Sequence, residues 1–234
     1  YKRQLLSTLG RTAVGAVAAL GAFALMAAET ASAQALIRDA EIEDTLRVYT
    51  NPLLDAAGLR RDDVRILIVN EDNVNAFVAG GQNIFVNTGL IMRAETPNEI
   101  IGVLAHETGH ISGGHLSRSR EAMNQSMGPM LISIGLGVLA IAAGAPDAGA
   151  ALIAGSQGFA MANFVRFTQV QESAADQAGA SFLEASGQSG RGLISFFDSQ
   201  IRPFEWQTRR APPWMMTHPF SSDRVESLRQ RIDR

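Results

Sequence analysis

The sequence predicts an α+β domain that is mostly helical, with a small sheet of about three strands. Two observations predict the sheet. Residues 64–69 form a short β-branched run typical of a buried strand, and residues 76–86 alternate around Gly80-Gly81, a pair suited to a tight hairpin turn. The helical part is predicted by longer segments with apolar residues at helical spacing, beginning with residues 42–53.

The first residues have the pattern of an export signal. Basic residues precede an apolar run over residues 13–28, which is shorter than the membrane span of about 20 residues. Small residues after this run fit signal cleavage near residues 33–35. We therefore predict a signal peptide over residues 1–33 and a mature domain over residues 36–234, with an uncleaved N-terminal anchor as the alternative.

The composition excludes several kinds of site. The chain has no cysteine, so neither a disulfide framework nor a thiolate metal site is available. Its formal net charge of -3 gives no indication of nucleic-acid binding, and no such partner is expected. With 46% apolar residues, the chain can build a hydrophobic core.

Thr96-Pro97-Asn98-Glu99 marks the start of a helix. Thr96 can cap the helix, Pro97 suits its first position, and Glu99 completes a capping box. Gly113-Gly114 is a natural stop at the other end. The motif described next therefore lies in the second half of this helix.

This helix contains the sequence His106-Glu107-Thr108-Gly109-His110. Residues four apart on a helix differ by about 40° in direction and about 6 Å along the axis, so His106 and His110 can direct their rings at one ion. Zinc accepts neutral imidazole nitrogen. Glu107 can then take a proton from a metal-activated water and deliver it to the leaving amine. The motif predicts a zinc metallopeptidase with two histidine ligands and a glutamate base.

A zinc site needs a third protein ligand. His115 fails on register, because one zincin class places its third histidine one residue farther along. The downstream carboxylate candidates are Glu121, Glu172 and Glu184. Glu172 is favoured, since Asp176 follows four residues later on the same predicted helix face and could hold the second N–H of a ligand histidine.

His218 and Arg224 are further candidates. A metallopeptidase needs a donor to the developing oxyanion, and a histidine or an arginine could supply it. His218 could alternatively be a fourth ligand that closes the resting site. Taken alone, its segment would be a capped surface turn before a last helix that starts near Ser221 or Ser222.

Residues 128–165 are rich in alanine, glycine, leucine and isoleucine. Pro146-Asp147 divides them into two pieces of about 15 residues, which is short for crossing a bilayer. The pattern favours a buried or interfacial helical hairpin over one that dips into a membrane, and it leaves open a contact with a membrane surface. Further helices are expected over residues 169–185 and 192–201.

Taken together, these segments resemble the M48 metallopeptidases, especially the exported bacterial branch that often carries C-terminal TPR repeats. The matching segments occur in order, at residues 37–43, 75–78, 85–90, 103–110 and 172–176 and at His218-Pro219 and Arg224. The sequence departs from that branch because no TPR repeats follow Arg234, which points to a short member or to a catalytic-domain fragment.

The resemblance implies a zincin fold of the gluzincin type with one bound zinc ion. By the family pattern, His106, His110 and Glu172 bind the zinc and Glu107 is the catalytic base. Asp176 would support a ligand histidine from behind.

The resemblance also implies roles around this centre. His218 and Arg224 match family residues that lie near the metal and either assist catalysis or regulate access. The strand that includes residues 75–78 would border the cleft, where an extended substrate can pair with its main chain.

The predicted function is that of a zinc-dependent endopeptidase in the periplasm. Its partners would be polypeptide substrates, with misfolded envelope or outer-membrane proteins as the class that the resemblance implies. The alternative is a chaperone or assembly factor for envelope proteins, with latent or secondary protease activity. Membrane-surface contact through residues 128–165 is a further expectation.

Overall fold

The structure is a computed structural model that describes residues 36–201, His218 and residues 222–233. The predicted signal peptide over residues 1–33 lies outside the described residues. The same holds for the chain on either side of His218.

The sheet has four strands in the order β1-β2-β4-β3. The strands are β1 (Leu36–Ile37), β2 (Arg65–Val69), β3 (Ala76–Ala79) and β4 (Asn83–Asn87). The predicted hairpin is β3–β4, which turns at Gly80 and Gly81 with φ angles of 59° and 102° that favour glycine. Strand β1 is a fourth strand beyond the three expected. Its two residues are too few to show an alternating pattern in the sequence. This topology leaves β3 at one edge of the sheet.

Helices make up most of the described chain, so the predicted mostly helical α+β class is confirmed. The helices are α1 (Ala40–Ala56), α2 (Thr88–Arg93), α3 (Pro97–Ser112), α4 (His115–Ala142), α5 (Pro146–Ala185), α6 (Arg191–Phe196) and α7 (Ser222–Ile232). A π-helical turn, Phe197–Ile201, continues α6. The helix expected over residues 169–185 is the second half of the longer α5.

Helix α3 is the centre of the fold, because α1, α5, α6 and strand β3 all pack against it. The core joins residues of α3 and the sheet to residues of α1, α5, α6 and α7. Its fully buried members include Leu53, Ile68, Ile84, Val86, Val103, Leu104, Leu183 and Phe196. This packing buries His106 and Glu107 of the histidine motif, whereas His110 is partly exposed.

The start of α3 is capped differently from the predicted capping box. Thr96 is extended at the N-cap, but within the described part of the chain its side chain makes no capping hydrogen bond. Glu99 Oε2 instead accepts the N–H of Glu95 at 2.9 Å, and Glu99 Oε1 accepts from the Ser195 hydroxyl at 2.6 Å. The buried glutamate therefore ties the first turn of α3 to α6.

Helices α4 and α5 form the hairpin that the sequence predicts over residues 128–165, but they do not bury it. Leu131, Ile132 and Leu139 are each at least 60% exposed. Of the two predicted alternatives, a buried or an interfacial hairpin, the buried one is therefore wrong. The helices are also longer than the predicted pieces, because α4 has 28 residues and α5 has 40.

Candidate metal centre and active site

Close contact between α3 and α5 positions the site. A Cβ atom on Gly109 would lie 2.6 Å from the carbonyl oxygen of Ala175, and one on Gly179 would lie 3.0 Å from that of Ala105. Only glycine permits such an approach of two backbones. The glycine inside the histidine motif therefore brings the Glu172–Asp176 face of α5 against the two histidines.

Four side chains converge at this contact. Ligand atoms of His106, His110, Glu172 and His218 all lie within 4.8 Å of one another. From His106 Nε2, the distances are 3.0 Å to His110 Nε2, 3.3 Å to His218 Nδ1 and 3.4 Å to Glu172 Oε2. Zinc–ligand bonds of about 2.0–2.1 Å place tetrahedral ligands about 3.3 Å apart, so the donor set fits a zinc ion.

The outer nitrogen of His106 meets a carboxylate. His106 Nδ1 lies 2.9 Å from Asp176 Oδ1. Because an ionised carboxylate only accepts hydrogen bonds, Nδ1 carries the proton and Nε2 turns a lone pair toward the site. Arg224 holds Asp176 in turn, with Nε 2.7 Å from Oδ2 and Nη2 2.9 Å from Oδ1, and its Nη1 lies 3.0 Å from Glu172 Oε2.

The other two histidines also have partners for their outer nitrogens. His218 Nε2 donates to the Ala76 carbonyl at 3.1 Å, which leaves Nδ1 bare. His110 Nδ1 lies 3.0 Å from His115 Nδ1, and the tautomer that leaves His110 Nε2 bare donates this proton to His115. All three site nitrogens can thus present lone pairs to one point, as a metal ion requires.

Glu107 is fully buried beside this cluster. Among the described residues, neither of its carboxylate oxygens has a hydrogen-bond partner, and Oε1 lies 3.4 Å from His218 Nε2. An unpaired buried carboxylate is costly unless a group outside the protein chain completes it. Its oxygens suit a water or substrate proton at the metal centre.

A profile of peptidase family M48 matches residues 37–232. The chain belongs to peptidase family M48. The resemblance read from the sequence is thus confirmed, and the site described above is the candidate metal centre of a metallopeptidase-family domain.

Relatives of this chain have names that concern proteolysis. The putative beta-barrel assembly-enhancing protease of Vibrio cholerae is 27% identical over 198 residues, 85% of this chain and 40% of that protein. The Escherichia coli (strain K12) beta-barrel assembly-enhancing protease is 26% identical with the same coverage. Metalloprotease LoiP of E. coli (strain K12) is 26% identical over 210 residues, 88% of this chain and 77% of that protein. The chain spans about 40% of the length of the first two relatives.

The charges of this M48 centre call for a cation. Three buried carboxylates, Glu107, Glu172 and Asp176, face one buried guanidinium, Arg224. With neutral histidines, two negative charges are left without compensation, which a divalent ion would supply. Uncompensated buried charge is strongly unfavourable, so the charge count agrees with the geometric fit.

The pKa shifts show how strongly the metal-free cluster holds a proton. Burial lowers the pKa of His106, but hydrogen bonds to Asp176 and Glu172 outweigh it and raise that pKa to about 10. Burial raises the pKa of Glu172, yet its hydrogen bonds to the histidines hold that pKa well below the ordinary value. The pKa of His110 is lowered, mainly by burial. A metal ion must therefore displace a proton from the cluster.

A cavity of about 260 Å³ opens onto the centre. Phe77 and Val78 of the edge strand β3 line this cavity, together with Glu107, His110 and His218 of the centre. The first turn of α4 and a turn of α5 complete the lining with His115, Leu116, Ser119, Thr168, Gln171 and Glu172. The predicted strand at residues 75–78 therefore does border the cavity.

The structure brings all seven predicted site residues together, although their roles stay predictions. Sequence reasoning missed two outer partners, His115 and the Ala76 carbonyl. His115 was considered only as a ligand, whereas Gly114 adopts a left-handed φ of 61° and His115 then lies 3.0 Å behind His110. A backbone carbonyl leaves no signal in a sequence pattern.

Proposed function

We propose that this chain is a zinc-dependent endopeptidase, with His106, His110 and Glu172 as ligands of one zinc ion and Glu107 as the general base. The observation that carries the proposal is the convergence of bare ring nitrogens and a carboxylate at separations of 3.0–3.4 Å. With neutral histidines, the buried carboxylates exceed the buried guanidinium by two negative charges, and this excess supports the same conclusion.

A zinc ion held by these residues would polarise a peptide carbonyl and lower the pKa of a water molecule. Glu107 accepts the proton of the attacking water and returns it to the leaving amine nitrogen, since its oxygens are buried at the centre and unpaired among the described residues. Strand β3 orients the substrate, because an extended peptide can pair with the main chain of an edge strand.

His218 closes the site in its resting arrangement. Its Nδ1 lies 3.2 Å from Glu172 Oε2, where it can act as a fourth ligand. Its Nε2 donates a hydrogen bond to the Ala76 carbonyl of the edge strand. A substrate that pairs with β3 must compete for that carbonyl. Replacing His218 with alanine should raise peptide cleavage if the histidine closes the site, and lower it if the histidine is an oxyanion donor.

Arg224 acts as a positioning residue in this proposal. Its guanidinium bonds to Asp176 and Glu172 and lies 5.7 Å from the centre of the Phe197 ring, so its charge is directed at the carboxylates. Asp176 in turn fixes the proton of His106 on Nδ1. Together the pair holds one ligand histidine and the ligand glutamate in place.

We place the protein in the periplasm and propose misfolded envelope or outer-membrane proteins as substrates. The support is the export pattern over residues 1–33 and the names of two relatives, which are called beta-barrel assembly-enhancing proteases. The net charge of -3 offers no support for a nucleic-acid partner.

The test compares Glu107→Gln with Glu121→Gln, a matched change at an exposed position of α4. Both proteins should bind one zinc ion, measured by elemental analysis. Glu107→Gln should fail to cleave an unfolded protein such as casein, because an amide cannot take the proton, while Glu121→Gln should cleave normally. Retained cleavage by zinc-loaded Glu107→Gln protein would overturn the proposed mechanism.

A chaperone or assembly factor with latent protease activity is the second candidate. The observation that favours it is His218 in the fourth ligand position, which closes the centre. This candidate predicts that the chain binds unfolded envelope proteins after zinc removal and that the His218→Ala protein cleaves none of them. Chelator-sensitive cleavage by the wild-type or the His218→Ala protein would instead support the peptidase.

A further inference from the structure

The α4–α5 hairpin carries a long uncharged segment. Between Glu121 and Arg166, the chain contains a single charged residue, Asp147, which lies at the tip where α5 begins. Arginines stand at the opposite end, at positions 118 and 120 of α4 and 166 of α5. The charged residues thus lie at the two ends of the hairpin, and the helices between them carry no charge.

The uncharged length matches a lipid bilayer. Residues 122–142 of α4 and 146–165 of α5 each extend about 30 Å at the helical rise of about 1.5 Å per residue. The hydrocarbon core of a bilayer is about 30 Å thick. Among the described helices, α4 is long and apolar enough to cross a membrane.

Exposed apolar side chains are concentrated on this hairpin. Nine of the thirteen large exposed apolar residues in the described chain fall within residues 122–165. On α4 they are Met127, Leu131, Ile132, Leu136, Val138, Leu139 and Ile141. At about 100° per residue these positions cover more than half of the helix circumference. One partner protein covers a single stripe of a helix, whereas lipid surrounds it, so the distribution favours lipid.

The two helices meet through small residues. A Cβ on Gly137 would lie 2.8 Å from the carbonyl oxygen of Gly149, and one on Gly149 would contact the carbonyl of Gly137. The two backbones therefore approach closely at these glycines, with Ile141 and Ile153 packed beside them, while other large apolar side chains such as Leu131 and Leu139 face outward. This is the reverse of packing in water and is the pattern of helix pairs in membranes, where close backbone approach holds the helices together.

We propose that the α4–α5 hairpin inserts into a lipid bilayer, with its arginine-bearing base at one membrane surface and Asp147 at the other. The first turn of α4 also lines the cavity, and the Ser119 hydroxyl donates to Gln171 Oε1 at 2.9 Å one residue before Arg120. Insertion therefore holds the candidate metal centre at the membrane surface. The proposal goes beyond the peptidase function and does not depend on it.

A local probe tests the insertion. The apolar run at residues 13–28 could itself bind lipid, so binding of the whole chain to vesicles does not decide the question. Because the chain has no cysteine, a single introduced cysteine can carry an environment-sensitive fluorophore. Labels go at Leu131 and Leu139, and control labels go at Val48 and Met92, which are 68% and 66% exposed outside the hairpin.

The labelled full chains are mixed with phosphatidylethanolamine–phosphatidylglycerol vesicles, in a Glu107→Gln background so that proteolysis plays no part. Both hairpin labels should shift to the blue and lose access to iodide, whereas the control labels should not change. A nitroxide on mid-chain lipid carbons should quench the Leu131 label more strongly than the Leu139 label. Residue 131 lies about 14 Å from the base of the hairpin, which is close to the middle of the bilayer. A nitroxide on the lipid headgroup should quench the Leu139 label more strongly than the Leu131 label.

A second variant tests whether the shift of the label depends on the apolar surface of the hairpin. Adding Ile132→Glu should leave the Leu139 label in water, while Met92→Glu should leave its shift intact, with far-UV circular dichroism unchanged in both. Hairpin labels that stay accessible to iodide, or that report equal shallow depth, would overturn the proposal. A concentration-dependent shift without vesicles would assign the surface to a second copy of the chain and overturn it as well.

Discussion

The contacts of helix α5 with α3 and with α4 are built in opposite ways. Its second half packs on α3, where Glu172 and Asp176 are buried among polar partners. Its first half packs on α4, where large apolar side chains such as Leu131 and Leu139 are exposed. In both contacts, glycine lets the backbones meet. The difference lies in what surrounds the contact.

This comparison shows that helix contact and burial are separate properties of the fold. At the α3 contact, the cost of buried charge is offset by paired charges and by the cation that the centre accommodates. At the α4 contact, close approach at glycines holds the hairpin together. The large apolar side chains that face outward are unfavourable in water. The predictions below test each side of the comparison, from the largest expected effect to the smallest.

Replacing Arg224 with methionine should have the largest effect on stability. It removes the buried cation that faces Asp176 and Glu172, and breaking a buried ion pair costs about 3–5 kcal/mol. Chemical unfolding of the metal-free protein measures the loss. Arg229→Met is the matched control on α7, because Arg229 is 37% exposed and its pair with Asp198 should contribute about 1 kcal/mol or less.

The same variant should change the dependence of stability on pH. Burial raises the pKa of Asp176, but the charges of Arg224 and His106 and the hydrogen bonds from both together outweigh burial and keep that pKa below its ordinary value. A carboxyl with a lowered folded pKa adds stability above its unfolded pKa of about 3.9 and loses it as the pH falls through the folded value. The difference in free energy of unfolding between the wild type and Arg224→Met should therefore become smaller as the pH is lowered. A gap that is constant with pH would contradict the ion-pair explanation.

Alanine at two glycines of these helices should have different effects on stability. A Cβ at Gly109 would lie 2.6 Å from the Ala175 carbonyl, so Gly109→Ala forces α3 and α5 apart, with an expected cost of about 1–3 kcal/mol and weaker zinc binding. Around Gly155 of the hairpin, a Cβ would meet no described atom within 4 Å. Gly155→Ala should be neutral or stabilise by about 0.5–1 kcal/mol. Thermal unfolding and zinc titration would measure both, and equal effects would contradict the close contact at Gly109.

The sequence predicted the parts of this protein that depend on local spacing. The histidine helix, the β3–β4 hairpin and the Glu172–Asp176 face could be read because helical and strand periods place those residues. Exposure of residues 128–165 could not be read, because an apolar run looks the same whether protein or lipid covers it. The bond from His218 to the Ala76 carbonyl could not be read either, since it joins residues 142 positions apart through a backbone atom.

His115 should have the smallest effect, and it would show how far the polar side of the comparison extends from the metal. Burial is the main cause that lowers the pKa of His115, to about 4, so the ring is neutral at ordinary pH and can accept the proton of His110 Nδ1. His115→Leu removes this acceptor and should weaken zinc binding about tenfold, the lower end of the usual range for such partners. His115→Asn keeps an acceptor oxygen and should restore part of the affinity. Competition with a chelating dye measures both, and wild-type affinity in His115→Leu would show that His110 is oriented by the packing of α3 alone.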